Sequence, residues 1–167
     1  MRMARRLETE RLVLRLPVAE EFTAYQEYCA SKRAEYVGGP FDKYTAFTRL
    51  SALVGHWELR GFGRYVIERK TFPGGIGHVG IMLLDDGDIP EFTWTLWDGR
   101  HEGRGLMSEA AEAVKDHLMR DCGWDQIIAR ISPENRASRR MATRLGMVRD
   151  ERAIAPAWYQ GALTYHF

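Results

Sequence analysis

The chain has 167 residues and a formal net charge of +1, with 45% hydrophobic and 28% charged residues. This length and balance predict one globular domain, residues 1–167, with a single core and no disordered tail. Because a net charge near zero gives no broad positive field, duplex DNA is excluded as a partner, and any bound anion must be held locally.

Neither export nor membrane insertion is predicted. The basic stretch MRMARRLETERLVLRL lacks the apolar core of an export signal, and the chain contains no run of about 18 apolar residues. Cys29 and Cys122 lack metal-ligand spacing and a disulfide framework, so both are expected to be buried free thiols. We therefore expect a cytoplasmic protein without metal or membrane partners.

The first half of the chain predicts strands and helices of one mixed domain. Alternation at Leu12, Leu14 and Leu16 indicates a first strand that ends at Pro17. Apolar residues recurring every three or four positions then predict two helices, and three aromatic or β-branched stretches predict an antiparallel meander. The helices span 20–33 and 45–59, the strands 61–70, 78–84 and 91–97, and the turns 72–77 and 85–88.

The second half alternates helix and strand, which implies parallel pairing. The predicted elements are a helix over 107–120 with Gly123 as its end signal, a buried strand over 126–131, and a helix over 132–147 with Pro133 near its start and Gly146 near its end. The aromatic stretch from Ala153 onward is expected to supply the last strands, either within this sheet or against a second subunit in a homodimer.

The stretch RHEGRGLMSEA, 100–110, places Gly103 and Gly105 between a predicted strand and a predicted helix. Free N–H groups at a helix N-terminus attract anions, and glycine there lets a phosphate approach the backbone and permits a positive φ. The spacing also fits an ordinary glycine-rich turn. Neither a P-loop nor a dinucleotide-binding fingerprint fits, since the latter needs Gly-x-Gly-x-x-Gly after the first strand with an acidic residue about 20 positions further on.

Asn135 and Ser138 open the helix predicted after the strand 126–131. Neighbouring parallel strands end at the same edge of a sheet, so this pair should lie beside the glycine-rich loop. A helix-start role for Asn135 and an ordinary surface position for Ser138 are the structural alternatives.

Four segments then stand in a recognisable order and spacing over nearly the whole chain. They are Thr9-Glu10-Arg11-Leu12-x-Leu14-Arg15, Gly61-x-Gly63, Trp97 with Arg100-x-x-Gly103-x-Gly105-x-x-Ser108-Glu109-Ala110, and Asn135-x-x-Ser138 with Leu145-Gly146-Met147. In these segments the chain resembles the GNAT family of N-acetyltransferases, and within it the ribosomal-protein N-terminal acetyltransferase branch. The resemblance implies an α/β fold of the acyl-CoA N-acyltransferase type, with a mixed central sheet, helices on both faces and a splayed parallel strand pair.

The resemblance also implies a reaction, in which the acetyl group of acetyl-coenzyme A moves to a primary amine. The branch implies that this amine is a protein N-terminal α-amine. The pyrophosphate of the donor is expected on backbone N–H groups around 100–105, and its pantetheine arm beside the strand 91–97. The residues assigned to acetyl-coenzyme A are Trp97, Arg100, His101, Glu102, Gly103, Arg104, Gly105, Leu106, Asn135, Ser138 and Arg139.

Two residues are candidates for the catalytic chemistry. Many family members carry a tyrosine seven residues after the motif asparagine, where this chain has Ala142, so the resemblance to the branch assigns stabilisation of the leaving thiolate to Ser138. Glu91 matches the acidic residue of the branch and would collect the amine proton through water. An α-amine, with a pKa of about 7.7–8, needs only a weak base. The alternative for Glu91 is a solvated carboxylate at a strand end.

Other functions remain compatible with the sequence. A small-molecule amine could replace the protein N-terminus as acceptor, and Ala142 favours a non-catalytic acyl-CoA-binding or sensing domain. The basic helical face of Arg136, Arg140 and Arg144, with Arg139 adjacent, fits coenzyme A phosphates, solvent or ribosomal RNA.

Overall fold

The computed structural model describes residues 2–167, which form an eight-stranded sheet with the order β1-β2-β3-β4-β5-β6-β8-β7. The strands are β1 (Arg6–Glu8), β2 (Leu12–Arg15), β3 (Arg64–Arg69), β4 (Phe72–Met82), β5 (Glu91–Leu96), β6 (Ile128–Ile131), β7 (Val148–Arg149) and β8 (Leu163–His166). The α-helices are α1 (Phe22–Ala30), α2 (Lys43–Arg60), α3 (Leu106–Asp116) and α4 (Arg136–Arg144).

The sheet is mixed, as the sequence predicts. Strands β1 to β5 pair antiparallel in chain order, and β5 and β6 pair in parallel. The C-terminal strand β8 pairs antiparallel with β6 and β7, so it completes its own sheet. The predicted α/β class with a parallel strand pair is therefore confirmed.

The predicted turn at 72–77 is wrong, because β4 already begins at Phe72 and the turn lies at residues 70 and 71. The glycines in this stretch instead allow β4 to lie close to its neighbouring strand. A Cβ on Gly77 would lie 2.3 Å from the carbonyl oxygen of Thr95 on β5, a distance that no side chain tolerates. The β3–β4 register also shifts on either side of Glu68, which indicates an irregular hairpin.

Helices cover both faces of the sheet. Val66 on β3 packs with Tyr25 and Cys29 of α1 in one buried cluster. Its neighbour Ile67 packs in a larger cluster that includes Val114 of α3 and other residues of α3 and α4. Because successive side chains of a strand point to opposite faces, α1 and α2 lie mainly on one side and α3 and α4 on the other.

Three of the helices, α1, α3 and α4, are shorter than their sequence patterns predict, whereas α2 extends beyond the predicted 45–59 at both ends. Helix α1 stops where Ser31 takes an extended conformation, and α4 begins only after Asn135. Helix α3 widens into a π-helical turn over His117–Asp121, and Gly123 follows with a φ of 67°. Within residues 2–167, no helix is long and apolar enough to span a lipid bilayer.

Candidate functional site

The loop between β5 and α3 exposes a continuous row of backbone N–H groups. Gly103 and Gly105 adopt φ values of 68° and 71°, and Gly105 is the N-cap of α3 without a side-chain cap. The first helical hydrogen bond is donated by Glu109 N–H to Gly105 O at 3.0 Å. The N–H groups of residues 103–108 donate to no acceptor in the described part of the chain, so this loop, the N–H cradle, can bind an anion.

Glycine in the cradle is explained by backbone conformation and not by crowding. A Cβ on Gly103 would meet no atom within 4 Å, and one on Gly105 would meet only the Arg11 guanidinium at 3.6 Å. The positive φ at both positions is unfavourable for other residues. The two glycines therefore set the direction of the N–H groups.

A carboxylate on the first turn of α3 ties the cradle to the β1–β2 hairpin. Glu109 accepts hydrogen bonds from Thr9 Oγ1 at 2.5 Å, from Arg11 N at 2.9 Å and from Arg11 Nε at 2.6 Å. Arg11 Nη1 in turn donates to Arg104 O within the cradle at 2.9 Å. Burial opposes ionisation of Glu109, but these donors together hold its pKa below the ordinary value.

The structure thus brings together two sequence motifs that lie far apart in the chain. Thr9 and Arg11 belong to the first motif, and Glu109 follows the glycine loop. Sequence reasoning missed their role as a clamp, since nothing local to either motif identifies its partner. The clamp positions the cradle without contributing to its surface of N–H groups.

Side chains in the loop contribute positive charge at its rim. The exposed Arg100 guanidinium is held by Asp98, with 2.7 Å between Nε and Oδ2. Arg104 is also exposed and donates from Nε to Arg100 O at 3.1 Å. Both guanidinium groups keep further N–H donors for an anion at the cradle.

The other predicted donor-binding residues of this loop turn their side chains elsewhere. Trp97 is buried and donates from Nε1 to His78 Nδ1 at 2.9 Å, and the His101 ring is buried against Phe72. Glu102 forms an ion pair with Arg33 at 2.6 Å. The backbone N–H groups of Trp97, His101 and Glu102 also donate within the protein, to Ile76 O, Asp98 O and Gly99 O. Of these predicted residues, the buried Leu106 keeps a backbone N–H without an acceptor among the described residues.

The second polar pair lies at the N-terminus of α4. Asn135 Oδ1 accepts a hydrogen bond from Ser138 N at 3.1 Å, so Asn135 caps the helix. The Ser138 hydroxyl itself has no hydrogen-bond partner among the described residues and remains available to a ligand. Ala142, at the position of the family tyrosine, is fully buried in the core.

The basic residues of α4 divide into engaged and free side chains. Arg139 donates to Pro133 O at 3.1 Å and to the Tyr165 hydroxyl at 3.4 Å, and Arg144 donates to the Ser108 hydroxyl at 2.8 Å. Arg136 and Arg140 are exposed. The four arginines therefore do not act as one uniform face.

Glu91 lies inside the protein at the start of β5, where it does not behave as a solvated strand-end carboxylate. Its Oε2 lies 3.2 Å from Arg130 Nη1, and Arg130 also makes a bidentate pair with Asp88 at 2.7 and 2.9 Å. Burial raises the pKa of Glu91 above its ordinary value, although Arg130 opposes this shift. The sequence offered no sign that Arg130 would be its partner.

A groove opens between the parallel strands beyond Glu91. The pairing of β5 with β6 is limited to Glu91 and Ile128, and residues 93–96 stay partly exposed although β5 is a central strand. Trp97 N–H donates to Ile76 O, so the alternation of an antiparallel pair turns the N–H groups of Trp94 and Leu96 toward β6. The groove therefore presents strand-like donors to an extended ligand.

Comparisons with known proteins agree with this geometry. A model of the acetyltransferase (GNAT) domain matches residues 11–148. The chain is 32% identical to an acetyltransferase from Agrobacterium tumefaciens str. C58, with a TM-score of 0.85 over 97% of this chain and 93% of that chain.

Two more distant structures share the fold. A GNAT-family acetyltransferase from Bacillus anthracis is 21% identical, with a TM-score of 0.77 over 96% of this chain and 95% of that chain. The ribosomal-protein-S5-alanine acetyltransferase from Vibrio fischeri is 18% identical, with a TM-score of 0.70 over 97% and 95% of the two chains.

Proposed function

Because this chain belongs to the GNAT family of acetyltransferases, and is thus an N-acetyltransferase, we propose that it transfers the acetyl group of acetyl-coenzyme A to a protein N-terminal α-amine. The observation that carries the proposal is the N–H cradle at the end of the groove between β5 and β6. We also propose that it belongs to the ribosomal-protein branch, which the likeness to the Vibrio fischeri enzyme supports at the level of fold.

The residues present fit this donor. The N–H groups of residues 103–108, with the Arg100 and Arg104 guanidinium groups beside them, suit a pyrophosphate. The free N–H groups of Trp94 and Leu96 suit the amide-rich pantetheine arm. When bound, acetyl-coenzyme A supplies an activated acyl group and a leaving thiolate of low basicity.

Glu91 acts as the base in this proposal. Burial raises the pKa of Glu91 toward the pKa of an α-amine. A closer match between these two pKa values improves proton transfer at neutral pH. Its pairing with Arg130 favours the ionised form that a base requires. The amine proton passes to Glu91 through water, and the neutral nitrogen then attacks the thioester carbonyl.

Ser138 stabilises the leaving sulfur. Its hydroxyl is free of other hydrogen bonds and lies on the first turn of α4, where the helix dipole favours negative charge. Asn135 positions this residue by capping the helix. Thiols have a pKa of about 8.5, so a single hydrogen-bond donor meets the demand of the leaving group.

The acceptor is tested with three kinds of amine at matched concentration. These are peptides with a free N-terminus, the same peptides with a blocked N-terminus and an internal lysine, and small primary amines. Release of coenzyme A thiol gives the rate, and mass spectrometry locates the acetyl group. We expect acetylation of the free α-amine. Turnover limited to lysine side chains or small amines would overturn the proposed acceptor.

The proposed setting is the cytoplasm. Cys29 and Cys122 are both buried free thiols. Such residues suit a reducing compartment.

A further inference from the structure

The α1 and α2 side of the sheet contains a row of positions around a glycine. Arg64 on β3 pairs in register with Gly80 on β4, and Gly80 pairs with Thr93 on β5, so Arg64 and Thr93 face the same side with no side chain between them. Only glycine fits at this point, since a Cβ on Gly80 would lie 2.4 Å from Gly63 O. Gly80 therefore leaves space between the arginine and the threonine.

Polar groups around this space lack partners. The half-buried Arg64 guanidinium makes no hydrogen bond or ion pair with any described residue. Arg49 Nε on α2 and Thr93 Oγ1 are both buried without a hydrogen-bond partner. Arg49 packs over the Phe41 ring, 4.5 Å from its centroid. Unpaired polar groups inside a protein are rare and unfavourable, so each calls for an explanation, such as a bound ion or a functional role.

Other arginines inside the fold have acceptors. Arg15 is bonded to Glu21 at 2.8 Å and to Glu68 at 2.7 Å. Arg130 is likewise paired with Asp88 and Glu91. A purely structural role for Arg64 would predict a partner of this kind, and none is present in residues 2–167.

The charge around the space is positive. Burial and the fields of Arg64 and Arg49 hold the pKa of His78 well below its ordinary value, so this ring is neutral. Burial raises the pKa of Tyr25, and raises that of Tyr28 to about 12, so both hydroxyls are also neutral at pH 7. Glu91 is the carboxylate whose field reaches Arg64, and its Oε2 is already engaged by Arg130.

We propose that Arg64, assisted by Arg49, binds an anionic group on the amine acceptor. This inference rests on the proposed function and narrows its substrate to an amine with a carboxylate or phosphate a few covalent bonds from the nitrogen. The positions of Arg64 and Thr93 are two strand spacings apart, about 9.5 Å, and Glu91 lies two residues along β5, about 6.8 Å from Thr93. An N-terminal residue with an acidic side chain matches these separations once the arginine side chain extends toward it.

The test compares acceptor pairs that differ only in charge. Peptides that begin with Asp or Asn form one pair, and peptides that begin with phosphoserine or serine form the other, which distinguishes a carboxylate from a phosphate. The ratio of kcat/KM within each pair is measured for the wild type, Arg64→Met and Arg152→Met. Arg152 is exposed, and its side chain has no partner among the described residues, so the control removes the same charge from outside the site.

We expect the wild type to favour at least one acidic peptide by about tenfold or more, the effect of one charge-assisted hydrogen bond. Arg64→Met should bring the ratio near one while leaving the KM for acetyl-coenzyme A unchanged. Arg152→Met should keep the wild-type ratio. Because Arg64 has no partner, Arg64→Met should also keep or raise the melting temperature, which guards against a folding defect.

The outcomes separate this inference from the proposed function. Acetylation of neutral and acidic peptides at equal rates, or a preference that survives in Arg64→Met, refutes the anion site and leaves the proposed function standing. If no peptide is acetylated, binding of the same peptides is followed by tryptophan fluorescence. Tighter binding of the acidic peptide that depends on Arg64 then supports the site alone, and equal binding refutes it.

Discussion

Replacement of Glu109 by Gln tests whether the clamp between α3 and the β1–β2 hairpin stabilises the protein and the cradle. The Glu109 carboxylate accepts hydrogen bonds from Thr9 and Arg11 over distances of 2.5 to 2.9 Å. Glutamine keeps the shape and one acceptor oxygen, but it places an amide N–H₂ toward Arg11 Nε. The charge-assisted bond at 2.6 Å is then lost, and two donors face each other.

The expected loss of stability is about 2 kcal/mol. A hydrogen bond to a charged group contributes about 1.5–3 kcal/mol, and the lower half of this range applies because the Arg11 side chain is 46% exposed. For a chain of this length, each kcal/mol shifts the melting temperature by about 2–4 °C, so Glu109→Gln should lower it by about 4–8 °C. The affinity for acetyl-coenzyme A should also fall, since Arg11 holds the Arg104 carbonyl of the cradle.

Thermal unfolding by calorimetry measures this difference against Glu112→Gln, a matched control on the same helix. Glu112 pairs with Lys115 at i+3 with its side chain 43% exposed, a pair worth about 0.3–0.5 kcal/mol. Equal melting temperatures for the two variants would show that the clamp is not a stabilising contact.

The pH dependence gives a second readout for Glu109. Its folded pKa is depressed, so its stabilising effect is complete above the unfolded value of about 4.3 and is lost as the pH falls through the folded pKa. The gap in melting temperature between wild type and Glu109→Gln should therefore be largest near pH 7 and shrink toward pH 3. A gap independent of pH would contradict the assignment of the effect to the ionised carboxylate.

Three further predictions concern the donor site and the catalytic candidates. Gly105→Ala and the control Gly161→Ala should each cost about 1 kcal/mol of stability, because Gly105 and Gly161 have similar positive φ values of 71° and 77°. Only Gly105→Ala should weaken the binding of acetyl-coenzyme A in a calorimetric titration. Ser138→Ala should keep the wild-type melting temperature and lower kcat by about tenfold or more. Asn135→Ala should lose about 1 kcal/mol of stability, because it removes the helix cap. Unchanged turnover in Ser138→Ala would show that Ser138 takes no part in the reaction. The acid limb of the pH profile of kcat/KM should have an apparent pKa above the ordinary carboxyl range, because the folded pKa of Glu91 is raised. Glu91→Gln should abolish this limb, and a profile unaltered by the substitution would reject Glu91 as the base.

Local features of the sequence were sufficient to predict the order of the main elements and the position of the cradle. Period-two alternation at Leu12 and Leu14 is a property of neighbouring residues, and it survives in β2. A positive φ at Gly103 and Gly105 likewise depends on the residue type itself, so a glycine-rich loop between strand and helix was readable. These signals need no knowledge of what packs against them.

Contacts between distant segments were decided by the tertiary structure alone. The glycines near Gly77 predicted a turn, but in the fold they permit close approach to β5, a requirement set by a strand about twenty residues away. Glu109 accepts a hydrogen bond from Arg11, which lies 98 positions away in the sequence, and Glu91 accepts one from Arg130, 39 positions away. Arg64 and Arg49 show no pattern that singles them out, and only the packing of α2 on the sheet brings them together and leaves Arg49 Nε and Thr93 Oγ1 without hydrogen-bond partners. Periodicity and propensity describe how a segment folds, whereas charge pairing and burial depend on which segments meet. The cradle could therefore be predicted from the sequence, but its clamp and its polar surroundings could not.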